Sequence, residues 1–205
     1  MHIEPGVVEG AKLMLSYATA VTALGLTSKL ALASVRSNGG LAALALRSLL
    51  TTALVFCFFE VFPHQAVGVS EVHLILGSTL LLLFGAGAAA IGLAAGLLLQ
   101  GLLFAQFDLP QYGMNVTTLL VPLWAISVLA KRIIAPGTAY VVLSYKQALT
   151  LSTAYQGGIV AWVAACGWFV VAGCLAVSAD VVRTELAVGL EEPIGAKAHV
   201  RGCGE

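Results

Sequence analysis

Long apolar blocks alternate with short polar intervals along almost the whole chain. A helix needs about 20 consecutive apolar residues to cross the hydrocarbon core of a bilayer. Seven blocks reach or approach that length: Leu13–Ala33, Leu41–Phe62, His73–Gly85, Ala86–Ala105, Val116–Ala130, Ala139–Ala154 and Ile159–Ser178. The pattern therefore predicts an all-α protein, a polytopic membrane helix bundle with about six or seven transmembrane helices.

An uncharged stretch from Leu74 to Phe107 is too long for one span. As a straight helix it would measure about 50 Å, whereas the hydrocarbon core is about 30 Å thick. We predict a break at Gly85-Ala86-Gly87 that divides it into two short antiparallel helices. Irregular backbone at membrane depth is tolerated only where it is buried in protein or lines a cavity. The break therefore favours a binding site between helices.

Two further features inside these blocks bear on packing. The pair Gly92-x-x-x-Gly96 permits close helix contact, and we expect it to serve packing inside the protein rather than docking of another subunit. Lys146 lies in the sixth block. If that block crosses, the lysine binds a lipid phosphate or pairs with an acid such as Glu60. We favour the alternative, in which Lys146 lies at the interface or snorkels towards it.

The composition agrees with a membrane protein. Of the 205 residues, 60% are hydrophobic and 10% charged, and the mean hydropathy is +0.98, whereas soluble domains are about one quarter charged. The net charge is zero and the basic residues are scattered, which argues against nucleic-acid binding. We expect one transmembrane domain over residues 1–182, including its N-terminal segment, and a loosely ordered tail over residues 183–205.

Charge is distributed unequally between the two ends of the predicted spans. Basic residues mark the ends expected in the cytoplasm, namely Lys29, Arg36, Arg47, Lys131 and Arg132. Acidic residues mark the opposite ends, namely Glu4, Glu9, Glu60, Glu71 and Asp108. We therefore expect an N-terminus outside the cell that is not removed as a signal peptide. The acidic mouth either concentrates cations or reflects only the scarcity of basic residues in outer loops.

Met1 and His2 form a potential chelator. The α-amine, the deprotonated amide nitrogen of His2 and its imidazole Nδ1 can bind one ion, and another imidazole would complete a planar set of four nitrogens. Such tetragonal coordination suits Ni(II) or Cu(II) better than Zn(II). His73 lies where a polar loop meets an uncharged span, so it is the candidate fourth ligand, unless it is only solvated there. We expect His64 to be solvated and His199 to be incidental.

Four groups of residues together resemble a known family. They are Met1-His2-Ile3-x-x-Gly6, then Val72-His73-Leu74 with Gly77, then Leu98-Leu99-Gln100-x-Leu102-Leu103-Phe104-Ala105, and Gly113-Met114-Asn115 followed by Val121-Pro122. In order and spacing they resemble the CbiM/NikM group over about residues 1–135. Its members are substrate-binding (S) components of energy-coupling-factor ABC transporters for cobalt and nickel.

The resemblance implies a metal site at the outer face. In the family, the ion is held by the N-terminal amine, the amide and imidazole of the second residue, and a loop histidine, which correspond here to Met1, His2 and His73. The family's pocket-lining asparagine corresponds to Asn115, and its glutamine corresponds to Gln100. Two departures, Glu4 before Pro5 and Gln106-Phe107-Asp108 in place of His-Gly-Gly, leave the identity of the metal open.

Ser70 is an additional candidate near this site. It could donate a hydrogen bond to the pocket backbone or to ligand waters, although serines near helix ends usually act as caps. Together with Asn115 and Gln100, it completes the set of residues expected around the metal ligands.

The chain contains no GxxxxGK[ST] phosphate loop, so ATP hydrolysis by that route must occur on partners. We expect a transport component and not an enzyme, with Ni²⁺ or Co²⁺ as substrate and no bound redox cofactor. The resemblance implies a transmembrane coupling subunit and cytoplasmic ATPase subunits as partners. The expected location is the bacterial cytoplasmic (inner) membrane.

Three other functions remain open at this point. A carrier of the same architecture for an organic micronutrient would need aromatic platforms, but the tryptophans Trp124, Trp162 and Trp168 cluster late in the chain. A ligand-free assembly subunit would leave the histidines unused. A thiol oxidoreductase would use Cys166 and Cys174, whose spacing within one helix is too large for a disulfide.

Overall fold

The computed structural model describes residues 2–3, 11–37, 39–61, 64–67, 70–73 and 75–165. These residues form six helices, which we label in chain order. Their bounds are α1 Ala11–Ser37, α2 Gly40–Glu60, α3 Gly77–Phe84, α4 Ala86–Leu103, α5 Tyr112–Ile133 and α6 over residues 145–165. Two 3₁₀ turns cover Gln106–Gln111 and Tyr140–Val142. Three short strands, described at the level of the backbone, are β1 His2–Ile3, β2 His64–Val67 and β3 Ser70–His73.

The prediction of an all-α membrane bundle is confirmed. Within the described part of the chain, four segments are long and apolar enough to cross a membrane: Ser16–Ser37, Gly40–Glu60, Ala86–Leu103 and Gln106–Ile133. The three strands, which together contain ten residues, are an addition that the sequence did not suggest. The predicted division into a domain over residues 1–182 and a tail stays a prediction, because residues beyond 165 lie outside the described part.

The predicted break in the long uncharged stretch is confirmed at Gly85. Gly85 alone separates α3 from α4, with φ 86° and ψ 161°. Glycine adopts this positive φ without the steric cost that a side chain would add. The eight residues of α3 measure only about 12 Å, which is less than half the thickness of a hydrocarbon core. Ile75, two residues before α3, is 1% exposed, so the chain is already buried before the helix begins.

The prediction of separate spans over Ala139–Ala154 and Ile159–Ser178 is wrong for the residues described. A single helix, α6, continues through the predicted gap at residues 155–158. Its start is fixed by a capping box, because Gln147 N donates to Ser144 Oγ at 3.3 Å and Ser144 N donates to Gln147 Oε1 at 3.0 Å. Lys146 is exposed in the first turn. Residues 166–178 lie outside the described part of the chain.

The physical reason for the continuous α6 is its buried stripe. Leu151, Tyr155 and Ile159 recur at four-residue intervals and are at most 3% exposed. A stripe of this period packs one helix face against the bundle. Gly158 lies close to Pro122 of α5, with 3.2 Å between a Cβ built on the glycine and the proline Cβ. Glycine inside a helix costs only about 1 kcal/mol, so this packing decides the conformation.

The helices α2 and α4 pack closely against each other through Gly92 and Gly96. A Cβ on Gly96 would lie 2.6 Å from Val55 Cγ1, and one on Gly92 would lie 2.8 Å from the carbonyl carbon of Thr51. The hydroxyl of Thr51 also donates to Ala88 O across the interface at 2.8 Å. The glycine pair therefore serves packing inside the protein, as predicted.

The three strands form one antiparallel sheet in the order β1-β3-β2. Because β1 precedes α1 and the β2–β3 pair lies between α2 and α3, the sheet is at the end of the bundle where α1 begins and α2 ends. Strand β1 contacts α5 in addition to β3. This pairing joins the beginning of the chain to the loop that leads into α3.

Candidate metal centre

The sheet places His2 close to His73. His2 lies opposite Glu71 and Ile3 lies opposite Ser70, while His73 is the last residue of β3. Residues opposite each other in antiparallel strands have Cα atoms about 5 Å apart, and diagonal neighbours are about 7 to 8 Å apart. His2 and His73 are diagonal neighbours of this kind. The structure therefore brings together two of the three residues predicted to hold the metal.

Met1, the third predicted ligand, lies outside the described residues and immediately precedes β1. The strand that it precedes contacts both β3 and α5. The start of the chain is thus continuous with a strand that packs against the bundle. That the amine of Met1 binds metal stays a prediction.

The register also assigns residues to the two faces of the sheet. Residues two positions apart in a strand share a face, and so do residues directly opposite each other. His2, Glu71 and His73 consequently lie on one face, and His64 joins them because it pairs directly with His73. Ser70, predicted to assist the site, lies on the other face together with Ile3.

Asn115 and Gln100 are buried near the same end of the bundle. Asn115 is in the first turn of α5, the helix that β1 contacts, and is 1% exposed. Gln100 is in the last turn of α4 and is 7% exposed. Its Oε1 atom is buried and accepts no hydrogen bond from the described residues. Buried side-chain amides require partners, so a segment outside the described residues is a candidate to bond Gln100.

A small cavity of about 10 Å³ adjoins Asn115. Its lining residues come from α4, α5 and the 3₁₀ turn between them: Leu97, Gly101, Asp108, Leu109, Tyr112 and Asn115. This volume is enough for about one water molecule. Tyr112 helps to fix the wall, because its hydroxyl donates to Ala94 O at 2.9 Å. The cavity is too small for an organic micronutrient, which needs about 300 Å³ or more.

A larger cavity, of about 420 Å³, lies at the opposite end of the bundle. It is bounded by the last turns of α1 and α5 and by the junction of α3 with α4, and its polar lining includes Ser34, Ser37, Ser127 and Lys131. None of the predicted site residues lines it. The two ends of the bundle therefore differ in cavity size: about 10 Å³ near Asn115 and about 420 Å³ at the opposite end.

The sequence analysis missed two residues of α6 that fix the segment after His73. Gln156 Nε2 donates to Ile75 O at 2.9 Å. Tyr155 is fully buried, and its ring occupies the space that a side chain on Gly77 would need. The adjacent polar pair Tyr155-Gln156 inside an apolar block was the available signal. These contacts anchor the backbone two to four residues after the predicted histidine ligand.

Side chains elsewhere in the described part of the chain offer no rival metal site. No group of three or more His, Cys, Asp or Glu side chains is close enough there to hold an ion. Cys57 is exposed and not in a disulfide. Cys166 and Cys174, the candidates for thiol chemistry, lie outside the described residues. The candidate centre therefore rests on the sheet register and on the buried amides of α4 and α5.

Comparison with known proteins identifies the family. The sequence model of CbiM, described as a cobalt uptake substrate-specific transmembrane region, matches residues 2–200. The match extends across the sheet and all six described helices and reaches into the region predicted as a tail. No curated protein and no solved structure matches the chain significantly. Since the family model covers nearly the whole sequence, the chain belongs to the CbiM family of cobalt uptake substrate-specific transmembrane proteins.

Proposed function

We propose that the protein captures a divalent cobalt or nickel ion at the outer face of the bacterial inner membrane. It then delivers the ion as the substrate-specific component of an ATP-driven importer. The observation that carries this proposal is the pairing of β1 with β3, which brings His2 next to the strand that ends at His73. Membership of a cobalt uptake family supports the choice of substrate.

The proposed ligand set consists of four nitrogens. The α-amine of Met1, the amide nitrogen of His2 and the imidazole Nδ1 of His2 close two small chelate rings, and an imidazole nitrogen of His73 completes the set. The diagonal placement of His2 and His73, about 7 to 8 Å between Cα atoms, suits ligation of one ion by both side chains. Planar nitrogen coordination favours Ni(II) or Cu(II), whereas the family description favours cobalt.

Polar groups around the sheet would orient these ligands. Asn115 is buried on the helix that β1 contacts, so we assign it hydrogen bonds to the backbone of the N-terminal segment. Gln100 has a buried oxygen that can accept a hydrogen bond from the same segment. Ser70, opposite Ile3, would act from the other face by stabilising the β1–β3 pair. Such outer contacts commonly change metal affinity by about 10- to 100-fold.

Energy for transport would come from partners. The sequence has no phosphate loop, which fits a membrane component that is coupled to separate ATPase subunits by a transmembrane subunit. The helices α1 and α2 leave room for such a partner within the bilayer. Of the residues in the most apolar stretch of each helix, 17% are buried in α1 and 28% in α2, against 61% in α4. The N-terminus would lie outside, at the acidic end of the bundle.

The test is metal analysis of full-length protein purified with its native start. We expect about one nickel or cobalt ion per chain and, with nickel, the absorption band of a planar nitrogen complex. Because the amine and amide must lose protons to bind, occupancy should fall as pH is lowered.

A matched pair of variants sharpens this test. Four glycines added before Met1 displace the amine from His2 and should abolish tight binding, while His199→Gln in the tail should leave it unchanged. A single glycine is not used, because a Gly-Met-His start would itself be a planar nitrogen chelator of nickel. Nickel and cobalt affinities that remain at the native value in the glycine-extended protein would show the ligand set to be wrong. Metal-free protein that co-purifies with an organic solute would instead favour a micronutrient carrier.

A further inference from the structure

The face of the sheet that contains the proposed ligands His2 and His73 holds two residues that the proposed ligand set does not use. His64 lies directly opposite His73, and Glu71 lies directly opposite His2. By strand parity all four share one face. Glu71 and His73 are also two positions apart in the same strand, which is a Cα separation of about 7 Å. Three residues of types that bind divalent ions, His64, Glu71 and His73, thus share one face near the same end of β2 and β3.

The separations among these three residues suit a single ion. Opposite residues such as His64 and His73 have Cα atoms about 5 Å apart, and Glu71 is diagonal to His64 at about 7 to 8 Å. Metal–nitrogen and metal–oxygen bonds are about 2.0 to 2.2 Å long. Imidazole and carboxylate groups on such a triangle of backbone positions are long enough to reach one ion between them.

We propose that His64, Glu71 and His73 form an entry position for a hydrated divalent cation, next to the N-terminal chelate. Two imidazoles and one carboxylate leave several coordination positions for water, so the ion need not lose its whole hydration shell on arrival. The carboxylate also offsets part of its charge. This inference rests on the proposed function, because both positions share His73.

Transfer between the two positions is then an exchange of ligands on one ion. His73 stays bound, while the Met1 amine and the His2 nitrogens replace His64, Glu71 and the remaining waters. The ion moves by only about one strand spacing, roughly 5 Å, from β2 towards β1. Binding at the entry position requires no loss of a backbone amide proton. The final chelate releases the His2 amide proton and one ammonium proton of Met1 to the surrounding water, so capture can precede the slower rearrangement.

The first experiment isolates the entry position. In full-length protein extended by four N-terminal glycines, the chelate is disrupted, and cobalt(II) is titrated while the visible spectrum is recorded. We expect weak binding of one ion with the faint bands of five- or six-coordinate cobalt. Adding His64→Gln or Glu71→Gln should weaken this binding at least about tenfold. Gln65→Ala is the matched control, because Gln65 is on the same strand but on the other face.

The second experiment uses the native start. His64→Gln should slow the association of cobalt several-fold while the final dissociation constant and spectrum stay as in the parent protein. No cobalt binding by the extended protein, or equal binding with His64→Gln and Gln65→Ala, would overturn the entry position. An unchanged association rate in the native-start variant would do the same. If the unmodified protein loaded with nickel showed no absorption band of a planar nitrogen complex, the proposed function would be overturned instead.

Discussion

The sheet and the α2–α4 interface are held together in opposite ways. The interface is continuous along two long helices, with glycines 92 and 96 seated against Thr51 and Val55. The sheet consists of strands of two to four residues contributed by the chain start and by the loop between α2 and α3. Strands this short add little stability by themselves. The bundle therefore supports the fold, while the sheet presents the groups proposed to bind the ion.

The largest expected effect comes from removing a proposed ligand. His2→Ala deletes the imidazole that closes the second chelate ring. It should weaken nickel or cobalt binding by more than about 100-fold, because removing a residue that only hydrogen-bonds to a metal ligand already costs about 10- to 100-fold. The helices do not depend on this side chain, so the melting temperature of metal-free protein should stay the same. Isothermal titration and thermal unfolding measure the two quantities on one sample.

His199→Ala is the control for this substitution, because it removes an imidazole from the tail. If both variants lost the same affinity, general damage or non-specific binding by histidine would explain the result. If His2→Ala unfolded the protein, the separation between sheet and bundle would be refuted.

The next effect concerns the fold alone. Gly92→Leu puts a large side chain where even a Cβ would overlap Thr51, and such overpacking typically costs about 1 to 3 kcal/mol. We expect a lower melting temperature and loss of the Thr51 hydroxyl bond to Ala88 O. Metal affinity of the protein that remains folded should be unchanged, because the sheet lies outside this interface.

Gly25→Leu supplies the comparison for Gly92. Gly25 is also inside a long helix, but no atom lies within 4 Å of a Cβ built there. Replacing this glycine should raise helix propensity by up to about 1 kcal/mol and leave the melting temperature equal or higher. A similar loss of stability in both variants would mean that helix propensity and not the close contact controls the result.

A smaller effect is expected where the two regions meet. Gln156→Leu removes the hydrogen bond to Ile75 O, two residues after His73. An unpaired buried carbonyl costs about 1 to 3 kcal/mol, and the loosened backbone should weaken metal binding about tenfold. This combination of a stability loss and an affinity loss distinguishes Gln156 from residues of either region alone.

Gln147→Leu is the matched control in the first turn of α6. Gln147 Nε2 likewise donates to a backbone carbonyl, Ile133 O at 2.7 Å, and its Oε1 belongs to the capping box. Its loss should lower stability at least as much as Gln156→Leu. The affinity for nickel or cobalt should nevertheless remain at the parent value. Equal affinities in the two variants would remove the proposed role of α6 in positioning His73.

The sequence predicted the features that depend on local pattern. The break at Gly85 followed from helix length against membrane thickness, and the contact at Gly92 and Gly96 followed from small residues one turn apart. The helical boundary near Ser144 was missed, because residues 139–143 are as apolar as the helix that follows. Only the Ser144–Gln147 capping box separates the two segments.

The candidate site was predictable only in part. Chelating residue types and the family resemblance pointed to His2 and His73. Their adjacency depends on the pairing of strands about 70 residues apart, and strand pairing leaves little trace in segments too short for a periodic pattern. For the same reason nothing in the sequence indicated that His64 lies opposite His73, as the register shows; that His64 is solvated stays a prediction. The anchoring by Tyr155 and Gln156 likewise depends on tertiary packing.

The smallest expected effect tests what Tyr155 contributes. Its ring fills the space beside Gly77, while its buried hydroxyl has no hydrogen-bond partner among the described residues. Tyr155→Phe keeps the ring and deletes a buried polar group, so the free energy of unfolding should stay the same or rise by up to about 1 kcal/mol. Tyr155→Ala should cost about 3 to 5 kcal/mol, as aromatic truncations in cores do. If Tyr155→Phe instead weakened both stability and metal binding, the hydroxyl would be bonded to the N-terminal segment, and the ring alone would not explain how α6 holds the start of α3.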